Sequence, residues 1–423
     1  MNNGEAAANP MTGEKGVYSV TVTLEAGEYT FKILKDETWY GNYGSIADTT
    51  EATSSVGWEM SATAGDCTLV ATGGDYTFTF NTETRYLVVA YVPAATITLK
   101  SATLSLEDEV LYNLKYIIED MDVTAEDMGL IIWDSEPANP TINGGGTVIE
   151  GSVYDETTGR YQVTTPGIPG KNLADTKYMV VYAKRSDGSY VYSKVQPYSA
   201  KTYCQSRLEK SSDANLKALC VALMNYGAAA QEYFALTSDY SYTELMNVAF
   251  ASYQSLVEDY REDMMAARAT VDATKAGAFG TSANGFTKRT ASMSADGTFA
   301  INYYFTASNA VDSVKMFYWT EADYAAATIL TTANASGVMD MTPTANANQF
   351  WADYDGIAAK ELDKNVFVCG IYEIDGVTCS TGVIPYSLGY YCTTKAASGG
   401  GDIKPFAAAT AVYSYYAKLY FPA

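Results

Sequence analysis

The sequence predicts a mainly β protein with α: an N-terminal β-sandwich, then two duplicated β-sandwich-plus-helix lobes and a linking helix. Three observations carry this expectation. Residues 16 to 92 alternate apolar and polar with a period of two. Five blocks of sequence from the middle of the chain return, in the same order, near its end. Each set of blocks closes on a stretch whose apolar residues recur every three or four positions, the period of a helix.

The first unit, 1–94, contains the runs VYSVTVTL, EYTFKIL, CTLVA, DYTFTFN and RYLVVAYV, separated by turns rich in Gly, Asn and Thr. Short alternating runs between such turns make a small antiparallel sandwich. Pro93-Ala94-Ala95 reads as a linker.

The duplicated units follow. KVQPYSAKTYC (194–204) returns as GVIPYSLGYYC (382–392), and YMVVYAKRSDGSYVYS (178–193) as VFVCGIYEIDGVTCST (366–381), each with an Asp-Gly hairpin turn. GLIIWDSE (129–136) matches KMFYWTEA (315–322), and GIPGKNLADTK (167–177) matches GIAAKELDKN (356–365). NLKALCVALMNYGAAAQEYF (215–234) matches IKPFAAATAVYSYYAKLYF (403–421). The lobes are therefore placed at 95–240 and 276–423. Asp213 is a candidate N-cap for the first closing helix; Asp402, with Pro405 near N1, serves the second. Between the lobes, 241–275 predicts a linking helix with Leu245, Ala249, Tyr253, Leu256, Tyr260 and Met264 on one face, and 276–286 a hinge. The charged run 258–268 is expected to be a solvated helical face with a Glu258–Arg261 pair.

Composition narrows the chemistry. A net charge of −22, from 27 basic and 49 acidic residues, opposes nucleic acid and anionic membranes and leaves neutral partners unaffected. No run of 18 apolar residues occurs, so no membrane insertion by a helix is expected. The opening MNNGEAAANP has neither a basic nor an apolar leader region, so no signal peptide is expected in this chain. The chain has no histidine, which removes Ser-His-Asp and Cys-His catalysis and most zinc sites. No cofactor and no metal site are expected. Cys67, Cys204, Cys220, Cys369, Cys379 and Cys392 form no CxxC pair and read as buried free thiols, with Tyr372 rather than Cys369 opposite Cys379.

The stretch FKILKDETWYGNYG (31–44) runs a strand into a loop with Trp39, Tyr40 and Tyr43. Sugar rings present flat C–H faces edged by hydroxyls, so flat aromatic rings supply affinity and nearby polar groups supply orientation. Trp39, Tyr40 and Tyr43, with Lys35, Asp36 and Asn42 beside them, fit that need. Trp58 is divided between core and platform. Trp133 and Trp319 occupy the same place in both lobes and are expected in the core. Trp351 stands where the first lobe has Gln162 or Val163, in a polar stretch with Tyr354 close by, and joins the binding candidates. Tyr198 and Tyr386, Tyr203 and Tyr391, and Tyr226 and Tyr415 recur and are assigned to the core.

The first unit resembles the non-catalytic starch-binding sandwich modules that accompany pullulanases and occur in SusE/SusF-type starch binders. Tyr29, Phe31 and Lys32, then Trp39, Tyr43 and Gly44, then Tyr76, Phe78, Phe80 and Thr84 carry the likeness over about 80 residues. The duplicated units are similar to those of large surface proteins of Gram-positive gut bacteria, including amylosome starch-adherence proteins. No dockerin is recognisable. The resemblance implies a secreted or cell-surface, non-catalytic binder of starch, amylopectin and maltooligosaccharides that holds them for partner amylases. A glycoside hydrolase or a protein-binding adhesin are the alternatives; the strand–helix alternation of an amylase barrel is absent. The glycine run NGGGTV (143–148) lacks a following GK[ST] and is read as a loop.

Overall fold

The computed structural model describes residues 9–42, 45–46, 55–93, 95–107, 110–119, 121, 123–185, 188–234, 251–265, 268–295 and 298–422. It is mainly β with α. The first unit has strands β1 (Thr12–Glu14), β2 (Val17–Phe31), β3 (Ile33–Lys35), β4 (Thr38–Tyr40), β5 (Ser45–Ile46), β6 (Ser55–Glu59), β7 (Cys67–Asn81) and β8 (Tyr86–Pro93). Its main sheet runs β1-β2-β7-β8-β6, with β5 parallel to the start of β7, and β3–β4 form a separate hairpin. The period of two decides the faces. Tyr76, Phe78 and Phe80 are buried in the unit's own core. Thr77 and Thr79 point the other way, where they bond Thr21 at 2.8 Å and Ser19 at 2.9 Å.

The duplication is visible strand by strand. The first lobe has β9 (Thr96–Ser105), β10 (Leu111–Glu119), β11 (Met128–Trp133), β12 (Thr147–Glu150), β13 (Val153–Asp155), β14 (Arg160–Thr164), β15 (Lys177–Lys184), β16 (Tyr190–Tyr192) and β17 (Gln196–Tyr198), then helices α1 (Ala200–Lys210) and α2 (Ala214–Tyr233). The second has β18 (Phe286–Ser294), β19 (Phe299–Ala307), β20 (Lys315–Trp319), a short helix α3 (Glu321–Ala326), β21 (Gly337–Asp340), β22 (Thr342–Pro343), β23 (Gln349–Ile357), β24 (Val366–Ile374), β25 (Val377–Ser380), β26 (Ile384–Tyr386), α4 (Leu388–Ser398) and α5 (Ile403–Tyr420). The four-stranded sheet β13-β14-β10-β9 has its counterpart in β22-β23-β19-β18. The five-stranded sheet, β12-β11-β15-β16 with β17 on β15, has its counterpart in β21-β20-β24-β25 with β26 on β24.

The repeated PYS motif joins sheet to helix in both lobes. Tyr198 and Tyr386 donate their hydroxyls to the carbonyls of Ala102 and Ala291, at 2.8 and 3.4 Å, tying β17 to β9 and β26 to β18. Ser199 and Ser387 are N-caps, accepting from the backbone N–H of Thr202 and Tyr390. The expected hairpin turn at Asp375-Gly376 forms with both φ angles positive, and Tyr372 faces Cys379. All six cysteines are buried and unpaired.

Two expectations are corrected. From residue 252 to 272 the described chain is not the predicted linking helix. It runs as turns with 3-10 segments at Gln254–Leu256 and Glu262–Met264. Tertiary contacts override the helical spacing: Gln254 exchanges amide hydrogen bonds with Asn225 of α2 at 3.0 and 3.1 Å, and the Glu258 N–H donates to the Tyr416 hydroxyl of α5 at 2.9 Å. Leu245 and Ala249 lie outside the described residues. The Glu258–Arg261 pair forms all the same. The stretch expected to be a hinge is bound down as well. Ala276 is fully buried, Phe279 packs on Trp319, and Asn284 and Gly280 bond the backbone of Ser380 and Val383.

The lobes share one core. At its centre α2 meets α5, and Tyr226 stacks on Tyr413 with ring centroids 5.4 Å apart and planes 16° off parallel. Tyr226 precedes Phe234 by the same eight positions that separate Tyr413 from Phe421, so Tyr413, not Tyr415, is its counterpart. Equivalent residues that touch each other are the mark of a two-fold arrangement.

Burial of so many tyrosines has a consequence at high pH. Loss of solvent pushes Tyr116 and Tyr391 up to about 12, and Tyr112, Tyr198, Tyr303, Tyr386 and Tyr413 are raised by the same cause. A group raised in the folded state stabilises the fold below its unfolded value, about 10 for tyrosine, and that stability is lost as pH rises through the folded value. Tyrosinate absorbance is therefore expected to rise in two stages. The later stage, ionisation of the buried rings, is expected to be cooperative and to coincide with loss of near-ultraviolet circular dichroism. A single gradual rise with the fold intact would contradict this packing.

Candidate functional site

The β3–β4 hairpin sets the geometry of the aromatic stretch. Its turn residues Asp36 and Glu37 both have positive φ, 44° and 62°, which suits a two-residue hairpin turn although neither is glycine. Leu34 pairs with Trp39, and Ile33 with Tyr40. The alternation splits the predicted cluster. Trp39 and Leu34 face outward, 39% and 38% exposed. Tyr40 turns inward against Phe80, with centroids 5.8 Å apart. Tyr40 is therefore a wall of the core rather than a platform ring, because its position in the strand is one removed from Trp39. Lys35 is half-exposed beside Asp36, with 3.8 Å between their charged groups. Tyr43 lies outside the described residues. Gly41 fixes the hairpin's position: it exchanges backbone hydrogen bonds with Ser61, and a Cβ there would sit 1.8 Å from the Gly65 carbonyl oxygen.

Trp58 on β6 pairs with Leu87 and packs against the unit's core. That placement resolves its divided assignment toward the core.

Trp351 and Tyr354 separate in the same way. On β19, Phe299, Ile301, Tyr303, Phe305 and Ala307 are buried; on β23, Phe350 and Ala352 are buried with them. The intervening residues Asn302, Tyr304, Thr306, Trp351 and Asp353 belong to the other face of the sheet. Tyr354 is on the inner face. It pairs with Ile301, meets Tyr318 edge-on at 5.1 Å, and burial raises its pKa. It does not join Trp351. The neighbour that does is Tyr304, directly opposite Trp351 in the register. Such pairs hold their Cβ atoms about 5 Å apart. Thr290 on β18 and Thr342 on β22 complete the row across four strands. Tyr304 was absent from the sequence candidates. The alternation in INYYF could have shown that only one of Tyr303 and Tyr304 faces inward, but not which strand lies beside it.

Trp133 and Trp319 are buried, as expected. Each closes a small second core on the far face of its five-stranded sheet. The Trp133 indole N–H donates to the Gly144 carbonyl at 3.1 Å and Trp319 to the Asn334 side chain at 3.1 Å. The glycine run after Asn143 forms the lid over Trp133: a Cβ on Gly146 would come within 2.5 Å of the indole.

The Trp39 hairpin and the Tyr304–Trp351 row stand on different sheets with different cores. No group of three or more acidic or cysteine side chains able to hold a metal ion occurs among the described residues. Among the described residues no helix is long and apolar enough to cross a membrane. Comparison with protein-family models finds no match, and comparison with curated proteins finds none either.

The tryptophans should differ in what their removal does. Trp319→Ala and Trp133→Ala are each expected to cost about 3–5 kcal/mol of stability, the scale for emptying an aromatic core site. Trp351→Ala is expected to cost about 1 kcal/mol or less. Denaturant melts of the three variants check this; equal losses would place Trp351 in the core.

Proposed function

We propose that the chain is a non-catalytic binder of starch-type α-1,4-glucan, holding the polysaccharide at the cell surface or outside the cell for partner amylases. The observation that carries this reading is the cross-strand pair Tyr304–Trp351 on the outer face of the second lobe's four-stranded sheet, edged by Thr290, Asn302 and Asp353. Neighbouring rings on one face of a sheet suit successive sugar rings, and the polar rim suits their hydroxyls. The outward Trp39 and Leu34 of the first unit offer a second apolar face of the same kind. The resemblance of that unit to starch-binding modules supplies the choice of α-glucan among neutral glycans.

Three surface carboxyls have shifted pKa values, and none of the three is shifted in the direction a glycosidase acid needs. A glycosidase acid must hold its proton near neutral pH, so its pKa is raised. The described carboxyls displaced from the ordinary range, Asp155, Asp272 and Asp323, are all held low instead. The leading cause is a hydroxyl hydrogen bond, from Thr158, Thr274 and Ser336 respectively. These are turn and cap contacts on the surface.

Co-sedimentation with insoluble granular starch tests the proposal, the protein being expected in the pellet. Retention in the supernatant would favour a protein-binding adhesin, and sustained release of reducing ends from soluble starch would favour a hydrolase. Trp39→Ala is expected to weaken maltooligosaccharide binding by about 1–3 kcal/mol, the scale of one lost aromatic contact, with the melting temperature nearly unchanged. A large fall in melting temperature with affinity intact would make Trp39 a structural residue.

A further inference from the structure

The two lobes place different residues at one and the same position of the same sheet. In the first lobe Lys115 on β10 faces Gln162 on β14, with Ser101 beyond Lys115 and Val153 beyond Gln162. In the second, Tyr304 faces Trp351, with Thr290 and Thr342 in the outer places. An asparagine confirms the alignment: Asn113 pairs with Thr164 in the adjacent row of one lobe, and Asn302 with Asp353 in that of the other.

The exchange also alters the polar groups beside the row. In the first lobe they satisfy one another. The Asn113 side-chain oxygen accepts from the Thr164 hydroxyl at 2.7 Å and from the Gln162 amide at 3.3 Å. The second lobe has tryptophan and aspartate where those two donors stood. Among the described residues, neither the Asn302 amide nor the Asp353 carboxylate makes a hydrogen bond within the chain. Both therefore remain available for a ligand. The half-buried Asn302 can donate and accept, and Asp353 can only accept, which suits the hydroxyl groups of a sugar.

Resting on the glucan-binding reading above, we propose that the second lobe carries a ring-stacking sugar site that the first lobe lacks, and that positions 304 and 351 decide the difference. Tyr304 and Trp351 take the C–H faces of neighbouring hexopyranosides. Asn302 and Asp353 bond the hydroxyls on one edge. The carboxylate also sets the ligand class, since a neutral sugar accepts its approach and an anionic one is repelled. The first lobe, with an ammonium group and a self-satisfied amide cluster in that place and Val153 as the row's apolar residue, offers no aromatic ring to a sugar there.

The test exchanges the lobes' residues in the full chain. Tyr304→Lys with Trp351→Gln installs side chains that the same fold already carries at the matching positions, so folding is expected to survive, as a thermal melt verifies. Titration calorimetry with maltoheptaose, in a Trp39→Ala background that weakens the first unit's contribution, reads the effect. Affinity is expected to fall by about tenfold or more, the scale of one or two lost aromatic contacts. Unchanged affinity and site number in a folded double variant overturn this inference and leave the glucan-binding reading resting on the first unit's Trp39 hairpin alone, whereas retained binding to starch keeps that reading itself alive. If the unaltered protein binds neither maltoheptaose nor granular starch, both fail together. Should the double variant not fold, the converse graft decides: Lys115→Tyr, Gln162→Trp and Thr164→Asp together should add a binding site to the first lobe, and no gain overturns the proposal.

Discussion

The stack of Tyr226 on Tyr413 is the contact on which the duplicated part of the molecule depends. Both rings are buried, at 3% and 1% exposure, where α2 and α5 cross from their own lobes into a common core. Phe299 and Phe406 close around them. Such close approach needs small residues beneath the rings. A Cβ on Gly170 would stand 2.5 Å from the Tyr226 ring, and one on Gly227 would stand 2.8 Å from Leu173. In the second lobe Ala359 and Ser414 take the matching places, both buried. Dense aromatic packing has few alternative arrangements, so the two lobes behave as one body rather than as domains about a hinge. The space between similar lobes, a common place for a ligand, is here filled by side chains.

That merger explains why the inter-lobe segment departs from its helical pattern. Tyr253, Val257 and Tyr260 all pack on the shared core, while Gln254 and Glu258 bond α2 and α5 respectively. A continuous helix aims its apolar face in one direction; this path has to reach two helices from different lobes. Local periodicity picked out Tyr253, Tyr260 and Met264, which do pack on the core, but it also named Leu256, which is exposed, passed over Val257, and misjudged the backbone between them.

The duplication made much of the fold legible. A residue kept in both copies serves what the copies share, and Trp133, Trp319, the PYS tyrosines and their capping serines all do so. Difference between copies was informative too, since Trp351 lies on the outer face of its sheet. What the sequence could not supply was the partner across the strands. Tyr354 is close to Trp351 in the chain and turned away from it, whereas Tyr304 is distant in the chain and adjacent in the sheet. The same alternation parted Tyr40 from Trp39. Strand proximity in sequence measures the wrong distance, because neighbours along a strand point apart and neighbours across it point together.

Each lobe's two sheets differ in what they leave to chance. The five-stranded sheet is buried on both faces, against the shared core on one side and a tryptophan-centred core on the other, so its residues answer to packing twice. The four-stranded sheet gives only one face to the core. On its outer face one fold has accepted a lysine and a glutamine in one copy and a tyrosine and a tryptophan in the other, at matching positions of the register. Substitution there perturbs neither the Tyr226–Tyr413 contact nor the capped helices behind it. A surface relieved of packing, on a frame held rigid from the opposite side, can change its chemistry without changing its shape. One copy carries a mostly polar row there and the other carries rings, an asymmetry that the layering permits.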